Sequence, residues 1–372
     1  MSGAGVSGGP VRVGVIGAGV ISTEYLRNLT RFPDLDVRAV GDLDAERARA
    51  QADAFGVPRG GGVAEVFDDD AIELVVNLTV PQAHVDVALQ AIAAGKHVWN
   101  EKPIGLDREG TRKLLDAARA SGLRVATAPD TFLGPGIQTA RRLVEGGAIG
   151  RPLTALTLLQ SPGPESWHPN PDFLFQDGAG PLFDLGPYYL TALVQLLGPI
   201  TQVSAVTSKA REVRTVGSGP RAGQRFDVTV PTHVAAIYRF AGGASAQSVF
   251  SFDSAVKRRV IEVAGTDGTI AVPDPNTFAG DIVVHRMDGE QTTTPSAPAP
   301  ATRGTGVLEL ARAVRAGRPE RASGELGEHV LDVMISTIEA AERGTPVDVA
   351  TTVDVAPALP EDWDPTVRTL GE

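Results

Sequence analysis

The sequence predicts an α/β protein with an N-terminal domain on a doubly wound parallel sheet and a C-terminal α+β domain. The second domain is expected to carry a large, mostly antiparallel open sheet. Three observations lead there. Over the first third of the chain, short β-rich runs alternate with helical stretches of about ten residues, the pattern of βαβ units. After Asp130 the alternation stops and strand-type runs cluster. The length, 372 residues, exceeds one typical core and suits two domains. The cut is placed after residue 128, giving domains 1–128 and 129–372.

The elements follow in order. Val11–Ile16 reads as a strand that ends in glycines, and Ser22–Phe32 as the helix after it. Val37–Val40 is the next strand and Ala45–Phe55 the next helix. Leu74–Asn77 is a buried strand. The amphipathic run His84–Ala94 is a helix closed by Gly95, in a C-cap position. His97–Trp99 and Leu123–Ala126 are strands on either side of the helix Arg108–Ser121. Beyond Asp130, Gln138–Glu145 and Pro181–Leu197 read as helices. Thr201–Thr207, Thr232–Phe240, Ala246–Phe252, Arg259–Ala264 and Ile282–His285 read as strands, and Gly304–Ala316 and Glu325–Arg343 as late helices. Gly289–Arg303 is rich in Thr, Pro and Ala and reads as a surface loop.

Composition narrows the function. Lys+Arg 34 against Asp+Glu 45 leaves a formal charge of −11, which argues against nucleic acid or an anionic membrane as the main partner. With Cys 0 there is no disulfide framework, no Cys-ligated zinc and no thiol nucleophile. Apolar residues at 42% supply cores, yet no run approaches the ~18 apolar residues of a membrane span. The Gly/Ser-rich start, Met1–Pro10, lacks a basic region, so a short leader and a cytoplasmic protein are expected. No H-E-x-x-H, phosphate-binding G-x-x-x-x-G-K-[ST] or Cys/His cluster is present, so no metal is expected. Gly 42 is high, and the glycines need uses.

One use is the turn Gly17-Ala18-Gly19-Val20-Ile21-Ser22, which follows a strand and opens a helix. Gly17 permits the tight turn and Gly19 the approach of a pyrophosphate. Val20 and Ile21 lie at the helix N-terminus that would receive the anion. Ser22 stands where a third Gly or Ala is usual. Asp42, at the end of the next strand, can bind both hydroxyls of an adenosine ribose and repel a 2′-phosphate. These features predict a Rossmann domain that binds NAD in preference to NADP, with Arg47 able to soften the exclusion.

A second cluster is TVPQAHVDVALQAIAAGKHVWNEKPIG, from Thr79 to Gly105. Glu101-Lys102-Pro103 follows a strand, at the carboxyl edge where α/β sheets bind ligands. With this stretch, the Gly14–Ser22 turn and Gly180–Gly198, the sequence resembles the Gfo/Idh/MocA oxidoreductases over nearly its whole length. The resemblance implies an N-terminal Rossmann domain, a C-terminal domain on a large open sheet, and NAD(P)-linked chemistry on sugars, inositols and related polyols. It implies that Lys102 is the catalytic-site lysine of the EKP motif, beside Glu101. Thr79, Pro81 and His84 match a T-x-P-x-x-H segment that lines the cofactor.

Asp184-Leu185-Gly186-Pro187-Tyr188-Tyr189-Leu190-Thr191 falls where that family carries D-x-G-x-H-x-x-D. Asp184 and Gly186 match; Tyr188 replaces the histidine and Thr191 the second aspartate. A phenol can serve as acid/base when a neighbouring ammonium favours its ionised form. Asp184 and Tyr188 are i and i+4, so both can face one site. Tyr188 is therefore expected as general acid/base, Lys102 as its electrostatic partner or alternative proton carrier, and Asp184 as ligand to a substrate hydroxyl. Tyr189 is expected in the core. Trp167 and His168, in a proline-rich loop, suit a sugar's apolar face and hydroxyls, and His168 is a further candidate base. Asp130 and Thr131 fall near another substrate segment of the family and do not match it.

The expected function is hydride transfer between a nicotinamide cofactor and a hydroxyl or keto carbon of a small sugar or polyol. Two alternatives stay open: an NAD-dependent glycosidase that oxidises its sugar transiently, and a non-catalytic NAD sensor. A homodimer or homotetramer through the C-terminal sheet is expected, because a large sheet must cover its second face.

Overall fold

The structure, a computed structural model, describes residues 8–296 and 301–371. The first seven residues of the expected leader, and residues 297–300 of the expected Gly289–Arg303 loop, lie outside the described residues. The chain packs as two compact units. The first takes the chain to Gly134, regains it in a segment ending at Glu328, and holds it again from Ala356. The second starts at Pro135 and includes His329–Val355. The chain therefore passes between the units more than once, first after Gly134.

In the first unit, β1 (Val11–Ile16), α1 (Val20–Leu29), β2 (Leu35–Gly41), α2 (Ala45–Phe55), β3 (Arg59–Gly61) and α3 (Ala64–Phe67) come first. β4 (Leu74–Asn77), α4 (His84–Ala93), β5 (His97–Asn100), α5 (Arg108–Ala120) and β6 (Val125–Thr127) complete the pattern. The six strands form one parallel sheet in the order β3-β2-β1-β4-β5-β6. Apart from partly exposed Arg12 and buried Asn77, strands β1 and β4 are apolar and buried on both faces, as central parallel strands are. The strand order reverses between β1 and β4, which puts a crevice at their carboxyl ends. α2 starts where Asp44 accepts from the Arg47 N–H and ends at Gly56 in the left-handed region, φ 68°. The sequence reading missed β3 because Arg-Gly-Gly looks like a turn. The glycine is needed for packing: a Cβ on Gly60 would lie 2.7 Å from the Ala48 carbonyl oxygen, because α2 rests on the strand backbone.

The second unit begins with α6 (Pro135–Glu145), β7 (Pro152–Gln160) and α7 (Gly180–Leu197). Strands β8 (Ile200–Ser208), β9 (Val213–Thr215), β10 (Arg225–Asp227), β11 (His233–Phe240) and β12 (Ser245–Ser251) follow. Then come β13 (Arg258–Gly265), β14 (Gly268–Val272), β15 (Ile282–Arg286) and β16 (Gln291–Thr294). A nine-stranded sheet runs β16-β15-β14-β13-β7-β12-β11-β8-β17, with β17 at Val347–Asp348. All its pairings are antiparallel except β7 with β12. β9 and β10 pair apart from it. β16 lies inside the stretch read as loop. The central strand β7 also escaped the sequence reading, because PLTALTLLQ lacks β-branched alternation; its burial alternates through Ala155, Thr157 and Leu159. α7 covers one face of the sheet and is buried from Gly186 to Leu196.

The late helices are α8 (Thr305–Ala316) and α9 (Gly324–Arg343). α8 belongs to the first unit, and charges tie it there. Asp34 is fully buried and accepts from Arg312 Nε at 2.8 Å, and from the Thr369 and Leu370 N–H groups of the tail. Glu309, also fully buried, is paired with Arg318 and Arg321.

In the second unit, His329 is fully buried and its Nε2 accepts from the Ile200 N–H at 3.0 Å. Burial drops its pKa from 6.5 to about 4, against the opposing charge of Asp332. The unfolded chain therefore binds a proton that the folded chain refuses between pH 6.5 and about 4. Stability present above that window is lost as pH falls through it, at up to about 1.4 kcal/mol per pH unit. Urea unfolding at pH 7 and pH 5 should show this loss, and His329→Gln should lessen it, with half-buried His97, whose pKa also drops to about 4, supplying part of the remainder. An unchanged slope in the variant would assign the loss to other groups.

Candidate functional site

Gly17 ends β1 with φ 102°, and its N–H donates to the Gly41 carbonyl at 2.9 Å. A side chain there would strike the backbone of Leu78 and Thr79. Gly19 precedes α1 in extended conformation and offers no side-chain cap, so the helix N-terminus is left to a ligand. A Cβ on Gly19 would meet no protein atom within 4 Å. Val20 and Ile21 face outward, at 95% and 36% exposure. With Gly19, Arg47 and Gln51 they line an open cavity of about 670 Å³, the size of a cofactor site. Ser22 is buried, and its Oγ donates to the Gly19 carbonyl at 2.6 Å, so the serine closes the turn that a third glycine would otherwise serve.

Asp42 sits at the end of β2, beside this turn. Its Oδ2 accepts from the Ala18 N–H at 2.6 Å, and its Oδ1 from the Asp44 N–H at 2.9 Å and Arg47 Nη2 at 2.7 Å. Burial pushes its pKa up, but these hydrogen bonds and the Arg47 charge outweigh it and hold the carboxyl below its ordinary value. The geometry suits a dinucleotide: helix N–H groups for phosphate, a carboxylate for ribose, and an open space between.

The carboxyl ends of β4 and β5 carry the second cluster. Buried Asn77 donates to Asn100 Oδ1 at 2.7 Å and to the His84 carbonyl at 3.0 Å, and its own Oδ1 accepts from Thr79 Oγ1 at 2.7 Å. Pro81 opens a short 3₁₀ turn ahead of α4. His84 opens α4. It belongs to the segment expected to line the cofactor, and it is buried, with Nδ1 2.6 Å from the Pro103 carbonyl and Nε2 3.1 Å from the Thr79 carbonyl. Burial holds its pKa below the usual value. Its ring lies between the Thr79 carbonyl and the Pro103 carbonyl of the Glu101-Lys102-Pro103 loop, and its one N–H in the neutral form donates to one of them. Glu101 Oε2 accepts the Lys102 N–H at 2.9 Å and Oε1 accepts from Tyr25 at 2.7 Å. Asp130 is fully buried and accepts from the Gly304 and Gly306 N–H groups at the start of α8.

In the second unit, Asp184 and Tyr188 lie one turn apart on α7, half-buried and buried respectively, with Pro187 inside the helix. Tyr189 points into the core, edge-on to Phe250 at 5.9 Å, as expected. Trp167 is 66% exposed. His168 stands edge-on between Trp167 and Phe173, each ring centroid 5.5 Å away. The sequence reading missed Phe173; its one signal was a second aromatic in the same proline-rich loop. Arg214, buried between Glu165 and Asp253, holds this loop in place. The loop's Phe175 belongs to a small core that also packs Leu185, the neighbour of Asp184. Among the described residues no group of three or more His, Cys, Asp or Glu is placed to hold a metal, and no helix is long and apolar enough to cross a membrane.

Comparison with known proteins adds the family. A family model described as an oxidoreductase family with an NAD-binding Rossmann fold matches residues 11–128. A model of the GFO/IDH/MocA C-terminal domain matches residues 137–271. Inositol 2-dehydrogenase 3 of Saccharopolyspora erythraea is 34% identical over 42% of this chain, a match that spans about half (48%) of that relative's length. An uncharacterized oxidoreductase, ORF334 of Rhizobium meliloti, is 30% identical over 71% of this chain and 75% of its own. A levoglucosan dehydrogenase solved in complex with NADH and L-sorbose has the same fold, with a TM-score of 0.80 at 22% identity over 92% of this chain and 99% of its own. Through a Rossmann domain with the dinucleotide turn and a C-terminal domain on the nine-stranded sheet, the chain belongs to the Gfo/Idh/MocA family of NAD-binding oxidoreductases.

Proposed function

We propose that the protein transfers a hydride between NAD and a hydroxyl or keto carbon of a sugar, inositol or related polyol. The observation that carries this is one sheet edge that holds both the Gly17–Gly19 turn with Asp42 and the Glu101-Lys102-Pro103 loop. The names of the relatives, an inositol dehydrogenase and a sugar dehydrogenase, point to the same substrate class. Gly17, Gly19, Val20, Ile21 and Asp42 would hold the dinucleotide, with Thr79, Pro81 and Glu101 along the β4 and β5 ends. When bound, NAD supplies the hydride acceptor. The hydroxyl proton must go to a side chain, and Tyr188 and Lys102 are the carriers of choice, with His168 the further candidate. Asp184 would accept from a substrate hydroxyl. Trp167 and His168 would meet the sugar's C–H face and hydroxyls.

The reading includes a homodimer or homotetramer formed through the C-terminal sheet, and a cytoplasmic location that draws on the NAD pool. The sheet face away from α7 supports an oligomer: Val206 and Ile237 are 66% and 53% exposed there, around a shallow groove of small residues. Ile237→Arg should reduce the mass seen by light scattering; an unchanged oligomer would move the interface elsewhere.

A screen of inositols, hexoses and anhydrosugars for NADH formation tests the reaction. With an active substrate, Lys102→Ala and Tyr188→Phe should each lower kcat by about 10²–10⁴. Full turnover in Lys102→Ala would sink the assignment. Asp42→Asn should weaken NADH about tenfold, the loss of one charged hydrogen bond, while NADPH weakens less. Fluorescence titration with both cofactors reads the ratio, and an unchanged preference would remove Asp42 from cofactor selection.

A further inference from the structure

We propose that Arg47 sets the choice between NAD and NADP: it holds the Asp42 oxygen that the ribose of NAD must take, and it is the cation that a 2′-phosphate would meet. The inference deepens the cofactor role proposed for Asp42 and rests on it, but its test needs no substrate.

An ionised carboxylate has about four lone-pair sites for hydrogen bonds. At Asp42 three are taken: Oδ2 accepts from the Ala18 N–H at 2.6 Å, and Oδ1 from the Asp44 N–H at 2.9 Å and Arg47 Nη2 at 2.7 Å. The site left over is on Oδ2, and the two adjacent hydroxyls of a ribose need a pair of sites. Ala18 and Asp44 donate from the main chain, one in the dinucleotide turn and the other at the cap of α2, so neither can leave without undoing that element. Arg47 is the donor that can leave. Its side chain is 52% exposed, against 8% for that of Asp42, so water takes over its hydrogen bonds when it swings out.

The same pair changes what this corner repels. An unpaired carboxylate at the end of β2 turns a 2′-phosphate away. Against burial, the hydrogen bonds and the Arg47 charge hold the Asp42 carboxyl below its ordinary pKa, so it stays ionised, and Arg47 balances that charge from 2.7 Å. A phosphate beside Asp42 therefore meets a neutral pair whose more exposed half is the cation. Among the described residues that line the cavity beside Gly19, Arg47 is the one Lys or Arg; Glu24, which also lines it, is paired with Arg27 at 2.6 Å. The Arg47 main chain is fixed, since its N–H donates to the Asp44 side chain at 3.1 Å, so the guanidinium moves from a set origin on α2. With NAD, Arg47 releases Oδ1 to the ribose. With NADP, it stays and pairs with the phosphate.

Fluorescence titration of the full-length protein with NADH and with NADPH reads both affinities. Arg47→Leu removes the competitor and the cation together. NADH should then bind about two- to fivefold more tightly, the worth of one exposed ion pair no longer broken. NADPH should bind about tenfold more weakly, the loss of a charged hydrogen bond. Arg47→Lys keeps the charge and should hold NADPH within about threefold of the wild type. In an Asp42→Asn background, Arg47→Leu should no longer tighten NADH, because no ion pair is left to break. NADH that does not tighten in Arg47→Leu, or NADPH that does not weaken, would overturn the proposal. An equal loss for both cofactors would place Arg47 on the pyrophosphate they share, which also overturns it. So would a gain in NADH that persists in the Asp42→Asn background. Failure of the substrate screen would leave these affinities readable, so the two readings fail separately.

Discussion

Much of the first unit depends on the close approach of Gly17 to its neighbours. Its N–H binds the end of β2, through Gly41, and its α-carbon lies against the end of β4. A Cβ there would stand 2.6 Å from the Leu78 carbonyl oxygen and 2.9 Å from the Thr79 nitrogen, at a φ of 102° that only glycine adopts without cost. This contact brings Asp42 to one flank of the turn and Thr79 to the other. Three stretches far apart in sequence become one edge because one residue has no side chain.

From Thr79 the order passes outward through polar groups instead of packing. Asn77 and Asn100 bond each other across β4 and β5, and Asn100 also donates to the Ile104 carbonyl at 3.1 Å. His84 reaches from α4 to the Pro103 carbonyl. The loop that carries Lys102 is thus held from Asn100, Pro103 and Ile104, all by buried donors. Such a network is costly to disturb, since each broken bond strands a buried polar atom. A rigid loop suits the proton-handling role proposed for Lys102, because small errors of position are expensive in catalysis.

What the sequence disclosed follows the range of the interactions involved. β1, α2 and β4 have the bounds read from the sequence, because apolar runs, an Asp N-cap and a Gly C-cap are local signals. Gly17 and Asp42 were legible for the same reason. The partner of His84 was not, because Pro103 lies 19 residues on, in a loop whose path depends on β5. The Tyr25–Glu101 bond spans 76 residues, and the Asp130 cap on α8 spans 174. In the second unit, α7 was legible from its length and apolarity, whereas β7 is a strand only because β12 and β13 flank it.

The return of the chain to the first unit gives a use to three of the glycines, Gly306, Gly324 and Gly327. β6 would be an exposed edge strand, and such edges invite pairing with other chains. Here the segment between α8 and α9 covers it: the Thr127 N–H donates to the Ala322 carbonyl at 2.9 Å, and Ala126 bridges to Ser323. α8 and α9 can come this close only where they have no side chains. Gly306 rests on the Trp99 ring, Gly324 on Leu115 and Val125, and Gly327 on Thr127 and Ile104. The Trp99 indole N–H donates to the Tyr25 hydroxyl, which donates to Glu101. The glycines that close the sheet edge and those that open the cofactor turn therefore serve one end of one sheet: the first set fixes the strand that presents Lys102, and the second leaves space beside it.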